Sequence, residues 1–267
     1  MYALTYNLSW ASQAGIAAGS EADFVRACQR AERDCFATAV ATLKSLREKV
    51  DVAGFQEVEL ADAIPRLRDS LPRLDSAYRA CVWSYDLNKM ISSVVMWNSA
   101  ILGPSIWSCT FDLDVGRPVG MVVTKSPSGK RYLLIVAHFP WLDSESKLSK
   151  VERAIAARMP AAKILGSDFV PIVMADTNDL TTLIHAARPL RLGKASVHQG
   201  LDRNTIRRKL KTCCWHEEGH QYGHMTDTGD YVLSTSVERQ YVPKAFARHR
   251  DDAFASDHLP VVARLTP

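Results

Sequence analysis

The sequence predicts an α+β fold, a single domain of helices and mixed strands spanning residues 1–267. Two observations carry that reading. At six places a short apolar run is bounded by a polar, mostly acidic or imidazole, residue, the signature of a buried strand ending at a rim. Between and around these runs lie stretches of helical spacing, and no repeat, low-complexity segment or linker interrupts the chain.

The first run is Ala3-Leu4-Thr5-Tyr6, closed by Asn7. Ser20-Glu21-Ala22-Asp23 then reads as a capping box, and Phe24, Ala27, Cys28, Ala31, Cys35, Ala39 and Leu43 predict a helix from Glu21 to about Leu46. The run Val52–Gln56 is closed by Glu57, and residues 61–74 predict a shorter helix with Pro65 near its start and Pro72 near its end. Strands are predicted over 78–83, 92–98, 119–124 and 131–138, the last two joined by the turn Ser126-Pro-Ser-Gly129. Leu134–Ala137 ends in His138. A helix follows over 144–166, with Glu145 early, Lys163 late and Pro160 positioned to kink or interrupt it.

Ile172–Ala175 is closed by Asp176, with Asn178 two residues on. Residues 187–229 show no clean period and read as a long loop region. The order then inverts: Asp230 precedes Tyr231-Val232-Leu233, and Asp257-His258 precedes Pro260–Ala263. If all six groups share one rim, the last two strands run opposite to the other four. That cleft would hold Asn7, Glu57, His138, Asp176, Asn178, Asp230, Asp257 and His258, a set suited to hard cations and phosphate.

Composition sets bounds. Hydrophobic residues make up 47% and charged residues 23%, enough apolar material for a sizeable core. The net charge of +4 permits a polyanionic partner without demanding one. The six cysteines show no framework spacing, so reduced thiols are expected. No signal peptide or apolar run of membrane-spanning length is present, which gives the expectation of an intracellular protein, in cytoplasm or nucleus, with no membrane partner.

In order and spacing, Thr5-Tyr6-Asn7, Phe55-Gln56-Glu57, Ala137-His138, Ala175-Asp176-Thr177-Asn178, Gly229-Asp230-Tyr231-Val232-Leu233-Ser234 and Ser256-Asp257-His258-Leu259-Pro260-Val261 resemble the endonuclease/exonuclease/phosphatase (DNase I-like) superfamily. The resemblance runs from Asn7 to Val261 and lies loosely nearest the tyrosyl-DNA phosphodiesterase and deadenylase branches. It implies a four-layer α/β sandwich, two packed and mostly antiparallel sheets flanked by helices. It implies Mg²⁺ or Mn²⁺ held by Glu57 with Asn7 and Asp257 close by, and Asp176 orienting or deprotonating the attacking water. Asn178 and His138 would bond phosphoryl oxygens, Asp230 would fix the tautomer of His258, and Arg117 would sit before a central strand. Asp86 is the guess for a carboxylate partner of His138.

The Leu8-Ser9 continuation after Asn7 and the Val58-Glu59 continuation after Glu57 depart from abasic-site endonucleases. The reading is therefore a Mg²⁺-dependent hydrolase that cleaves phosphodiesters by in-line attack of water, most of all in nucleic acid. The alternatives are a phosphatase or phosphodiesterase for a small phosphoester, such as a phosphoinositide or nucleotide, and a non-catalytic member of the fold.

Two further features lie in the 187–229 region. The run Arg203 to Lys211, with Arg207, Arg208 and Lys209, is a candidate substrate-binding surface and equally a solvated helix face. His216-Glu217-Glu218-Gly219-His220 matches the H-E-x-x-H pattern of zinc peptidases, but Gly219, Gly223 and Glu218 oppose the apolar helix that pattern requires. A structural zinc on Cys213, Cys214, His216, His220 or His224 fits by ligand type, against a plain substrate-side loop.

Overall fold

The structure is a computed structural model. It describes residues 1–9, 13, 25, 26, 29, 34–85, 87–114, 116–140, 145–178, 189–200, 212–216, 224–227, 229–247, 256 and 258–266, with the backbone alone for 145, 213–216, 224–227 and 247.

The chain opens with β1 (Tyr2–Asn7), α1 (Cys35–Lys44), β2 (Val52–Gln56), α2 (Ala63–Ser70), β3 (Ser76–Ser84) and β4 (Lys89–Trp97). Helix α3 (Ser99–Leu102) leads into β5 (Ser105–Asp112), β6 (Pro118–Lys125) and β7 (Arg131–His138). Then come α4 (Glu145–Ala156), α5 (Ala162–Leu165), β8 (Phe169–Asp176) and two small hairpins, β9 (Leu190–Leu192) with β10 (Ala195–Val197) and β11 (Cys213–His216) with β12 (His224–Asp227). Strands β13 (Asp230–Ser234) and β14 (Val237–Tyr241), helix α6 (Lys244–Ala247) and β15 (Val261–Leu265) complete it.

A six-stranded sheet has the order β14-β15-β1-β2-β4-β3, and a five-stranded sheet the order β13-β8-β7-β6-β5. The pairs β1–β2 and β7–β8 are parallel and the other pairs in these two sheets antiparallel. As expected, β13 and β15 run opposite to the strands beside them.

Strand side chains alternate between faces, and here both faces are buried. Ala3, Val52, Val95, Val122, Leu134, Val136, Ile172, Met174, Val232 and Ala263 form the layer between the sheets. Leu4, Phe55, Val94 and Met96 point the other way, onto Phe36, Ala39 and Leu43 of α1 and Leu67 of α2. Met121, Leu133, Ile135, Val173 and Leu233 pack onto Leu148, Val151 and Ile155 of α4 and Leu165 of α5. This is the four-layer sandwich the motifs imply.

Two polar-edged details fix the sheet separation. Gln56 Nε2 donates to Thr5 Oγ1 at 3.1 Å and across the gap to the Met174 carbonyl at 3.0 Å. At Gly54 a Cβ would stand 2.5 Å from Met174 Cβ, so the two backbones approach closely there because position 54 has no side chain.

The structure corrects several boundaries. Asp34 is extended and caps α1 (Cys35–Lys44), which interrupts the predicted 21–46 helix; Val25, Arg26 and Gln29 are helical, and the other residues of 21–33 lie outside the described residues. Pro160 breaks the 144–166 helix into α4 and α5. Strands β5 and β14 have no predicted counterpart: each is a sheet-edge strand, largely polar and partly exposed, so neither carries an apolar run. The 187–229 region contains β9 to β12 instead of loop alone, and His216 ends a strand, so H-E-x-x-H has no helix at its first histidine. Cys35 is disulfide-bonded, contrary to the expectation of reduced thiols, while Cys81 and Cys109 are free. Bridging depends on Cα separation, which spacing in sequence does not reveal. Among the described residues no helix is long and apolar enough to cross a membrane.

Gly54→Val should destabilise the protein by about 1–3 kcal/mol, because the new side chain meets a Cβ fixed to the facing backbone and must push the sheets apart. Urea denaturation checks it; an unchanged midpoint would mean the sheets can separate at no cost.

Candidate active site

Strand parity builds the rim. Leu134 and Val136 face the opposing sheet, and so by alternation does His138; the same holds for Ile172, Met174 and Asp176, for Ala3, Thr5 and Asn7, and for Val232 and Asp230. Register then lines them up. His138 pairs with Asp176, and Asp176 with Asp230. Asn7 reaches Asp176 from the other sheet.

Asp176 is the hub. Its Oδ2 accepts from Asn7 Nδ2 at 3.0 Å and lies 3.4 Å from His138 Nε2 and 3.7 Å from His258 Nε2. The same Asn7 nitrogen donates to Glu57 Oε1 at 3.1 Å, and His138 Nδ1 stands 3.2 Å from that oxygen. Asp230 Oδ2 holds His258 Nδ1 at 2.8 Å. Asn178 donates its backbone N–H to Asp176 Oδ1 at 3.0 Å and its side-chain amide to the Phe139 carbonyl. Arg117 Nη1 lies against His138 Nε2.

The structure thus brings together Asn7, Glu57, Arg117, His138, Asp176, Asn178, Asp230 and His258. Asp257, Arg207, Arg208, Lys209 and Asp86 lie outside the described residues. Asn7 turns its amide nitrogen, not its oxygen, toward the carboxylates; its Oδ1 accepts from Ser9 N at 3.0 Å.

Glu57 adopts a left-handed backbone, φ +55°, uncommon for a residue with a Cβ and costly by about 1–2 kcal/mol. Three contacts hold the turn. Gln13 Nε2 donates to the Glu57 carbonyl at 2.8 Å, Gln13 Oε1 accepts from Glu59 N at 3.0 Å, and Val58 N donates to the Ser92 carbonyl at 2.8 Å.

Burial opposes the charge of Glu57, but the hydrogen bond and charge of His138, the charge of His258 and the Asn7 amide outweigh it and hold the carboxyl at about 2. Burial likewise opposes Asp176, and His138, His258, the Asn178 N–H and Asn7 together bring it below the usual range. Asp230 differs. Burial pushes it up to about 6 despite His258, and its Oδ1 is buried without a hydrogen-bond partner.

Several positioning residues have no sequence motif of their own. Thr212 Oγ1 accepts from Gly229 N and Asp230 N, each at 3.0 Å, and its carbonyl accepts from Leu259 N at 2.7 Å. Ser256 Oγ donates to the Asn7 carbonyl at 2.7 Å and accepts from His258 N at 3.2 Å. They tie the Asp230 and His258 segments to the rim. Ser256 adjoins a motif residue, but for Thr212 the sequence carries no signal.

The donor set fits a hard divalent cation. Glu57 Oε1 and Asp176 Oδ2 converge on one amide, and the ligand atoms of Asp176, Asp230 and His258 lie within 4.8 Å of one another.

Solved structures share this architecture. An endonuclease/exonuclease/phosphatase family protein from Bacteroides thetaiotaomicron superposes with a TM-score of 0.62 at 15% identity, over 98% of this chain and 93% of that one. The chain has the endonuclease/exonuclease/phosphatase fold. TDP2 from C. elegans matches with a TM-score of 0.58 at 11% identity, over 100% of this chain and 75% of that one. A mannosyl-6-phosphatase from Bacteroides thetaiotaomicron gives 0.59 at 14%, over the whole of both chains. At such identities the likeness is one of fold. No protein-family model and no curated protein matches the sequence.

The Asp230 environment predicts a pH-dependent cost. A carboxyl raised in the folded state binds its proton more readily there than in the unfolded chain. Its penalty is therefore full above about pH 6 and relieved as pH falls toward 3.8. Asp230→Asn should stabilise the protein at pH 8 by up to about 3 kcal/mol, with the gain shrinking toward pH 4. Denaturation at several pH values checks this; a gain independent of pH would mean the carboxyl is not raised.

Proposed function

We propose that this protein hydrolyses phosphoester bonds with the help of a divalent cation, its preferred substrates being the phosphodiesters of nucleic acid. The observation that carries the reading is the linked chain from Asp230 through His258 to Asp176, and through Asn7 to Glu57, on one rim between the sheets.

Glu57 would hold Mg²⁺ or Mn²⁺, with Asn7 and Asp257 close to it. When bound, the ion would supply charge neutralisation at the phosphoryl oxygens. Asp176, kept ionised by its neighbours, would orient and deprotonate the attacking water. Asp230 would fix the tautomer of His258 and favour an imidazolium whose Nε2 faces the phosphate. His138, Arg117 and Asn178 would donate to the remaining phosphoryl oxygens as negative charge builds in the in-line transition state. His138 lies between Glu57 and Asp176, with Nδ1 3.2 Å from one carboxylate and Nε2 3.4 Å from the other.

Support for a polynucleotide comes from the basic run containing Arg207, Arg208 and Lys209, and from exposed Trp83 and Tyr85 on the β3–β4 hairpin. At the turn end of that hairpin, Ser84 packs where Gly116, next to Arg117, lacks a side chain. Bases stack on such rings. The mannosyl-6-phosphatase that shares the fold keeps a small phosphoester as the second reading. Labelled single- and double-stranded DNA, RNA, phosphoinositides and a generic phosphodiester, each with Mg²⁺ and with EDTA, separate the two. No turnover of any of them would leave a non-catalytic protein.

Three outcomes are expected. Glu57→Gln should abolish turnover with the far-UV spectrum unchanged, while the melting point falls, because the carboxylate that His138, His258 and Asn7 hold ionised contributes stability an amide lacks. Near-normal rates in Mg²⁺ would remove Glu57 from the site. Asp230→Asn and His258→Ala should each lower kcat by about 10²-fold or more, and the double variant should lose little beyond either; additive losses would mean the two do not act together. Replacing Arg207, Arg208, Lys209 and Lys211 by serine should raise KM for a polynucleotide and flatten its salt dependence, leaving a small phosphodiester barely affected. Equal loss on both substrates would assign the run to the fold.

A further inference from the structure

The parallel neighbours β1 and β2 end alike. They pair with Asn7 opposite Gln56, and each is followed by a left-handed residue other than glycine. Ser9, two residues beyond Asn7, has φ +52°, and Glu57, one beyond Gln56, has φ +55°. Residues with a Cβ rarely take that conformation, and it persists only where the surroundings impose it.

One side chain touches both turns. Gln13 Nε2 lies 3.2 Å from the Ser9 carbonyl, 2.8 Å from the Glu57 carbonyl and 3.0 Å from the Leu8 carbonyl. An amide nitrogen carries two N–H groups, so one of them is shared. Gln13 Oε1 accepts from Glu59 N at 3.0 Å and Leu60 N at 3.4 Å. Both ends of the amide are therefore spent on backbone, and the Glu57 turn they bind lies 44 to 47 positions away in sequence.

The clamp reaches the Glu57 carboxylate from two directions. One is direct, through the carbonyl of Glu57 itself. The other runs through the Ser9 turn. Ser9 N donates to Asn7 Oδ1 at 3.0 Å, which leaves Asn7 Nδ2 facing Glu57 Oε1 and Asp176 Oδ2. Without Gln13 each turn loses a bond that opposes its relaxation, and the carboxylate loses its placement against the amide.

We propose that Gln13 is a positioning residue that sets how tightly Glu57 holds a divalent cation. It brings no charge to the rim and acts through Glu57 and Asn7. The inference rests on the reading of Glu57 as a metal ligand.

The test is metal affinity without substrate. Mn²⁺ is titrated into the full chain and the free ion is followed by electron paramagnetic resonance; the site in question is the one that Glu57→Gln removes. Gln13→Met, close in size but without the hydrogen bonds, should weaken that site by about tenfold or more. In turnover the Mg²⁺ concentration for half-maximal rate should rise in step, while kcat at saturating Mg²⁺ changes far less. Leu165→Ala, in the core under α5 on the other sheet, should lower the melting point and leave the affinity alone. Gln13→Met that behaves like Leu165→Ala overturns the inference and leaves the metal reading standing. A wild type with no Mn²⁺ site that Glu57→Gln removes overturns both. Should Gln13→Met fail to fold, Gln13→Asn decides by the same titration: it keeps the amide but draws it back by one carbon, and wild-type affinity there overturns the inference.

Discussion

The constraint on which this protein depends is the packing of two sheets through faces of matched parity. Every second residue of β1, β2, β7, β8 and β13 enters the layer between the sheets, and the last member of four of those series is Asn7, His138, Asp176 or Asp230. The apolar members hold the sheets together and the polar members stand at the rim because they continue the same alternation. A slip of one residue in any strand would turn its site residue to the helix side. Gly54 belongs to the same constraint, since its missing side chain sets how near β2 comes to Met174 and therefore how near Asn7 comes to Asp176.

The charges at the rim are arranged in opposition. Glu57 and Asp176 are surrounded by groups that favour ionisation, whereas Asp230 is buried with one oxygen bare and titrates upward. Carboxyls with environments pushed apart in this way suit different roles, one pair for binding and activation, the other for orienting an imidazole. The left-handed backbone at Glu57 adds local strain, held by Gln13 and Ser92. Strain and an unpartnered buried oxygen both cost stability, and both sit where chemistry is proposed.

Much of this was legible in the chain. Runs such as Ile172–Ala175 read as strands because they are apolar throughout, which is what a strand covered on both faces requires. The edge strands β5 and β14 were not legible, since solvent on one side removes the apolar run that marks a strand. The small β9–β10 and β11–β12 hairpins were hidden for a similar reason: strands of three or four residues are too short to establish a period.

The sequence by itself determined which residues could meet at the rim, because strand parity and the order of polar ends are local properties of the chain. Only the tertiary structure decided how they meet. That Asn7 donates to both Glu57 and Asp176, that His138 stands between two carboxylates, and that Thr212 and Ser256 tie the Asp230 and Asn7 segments into the rim are contacts between residues 18 to 249 positions apart. Nothing in a neighbouring residue type encodes them. They arise when two sheets close on each other and buried polar groups take the partners left within reach.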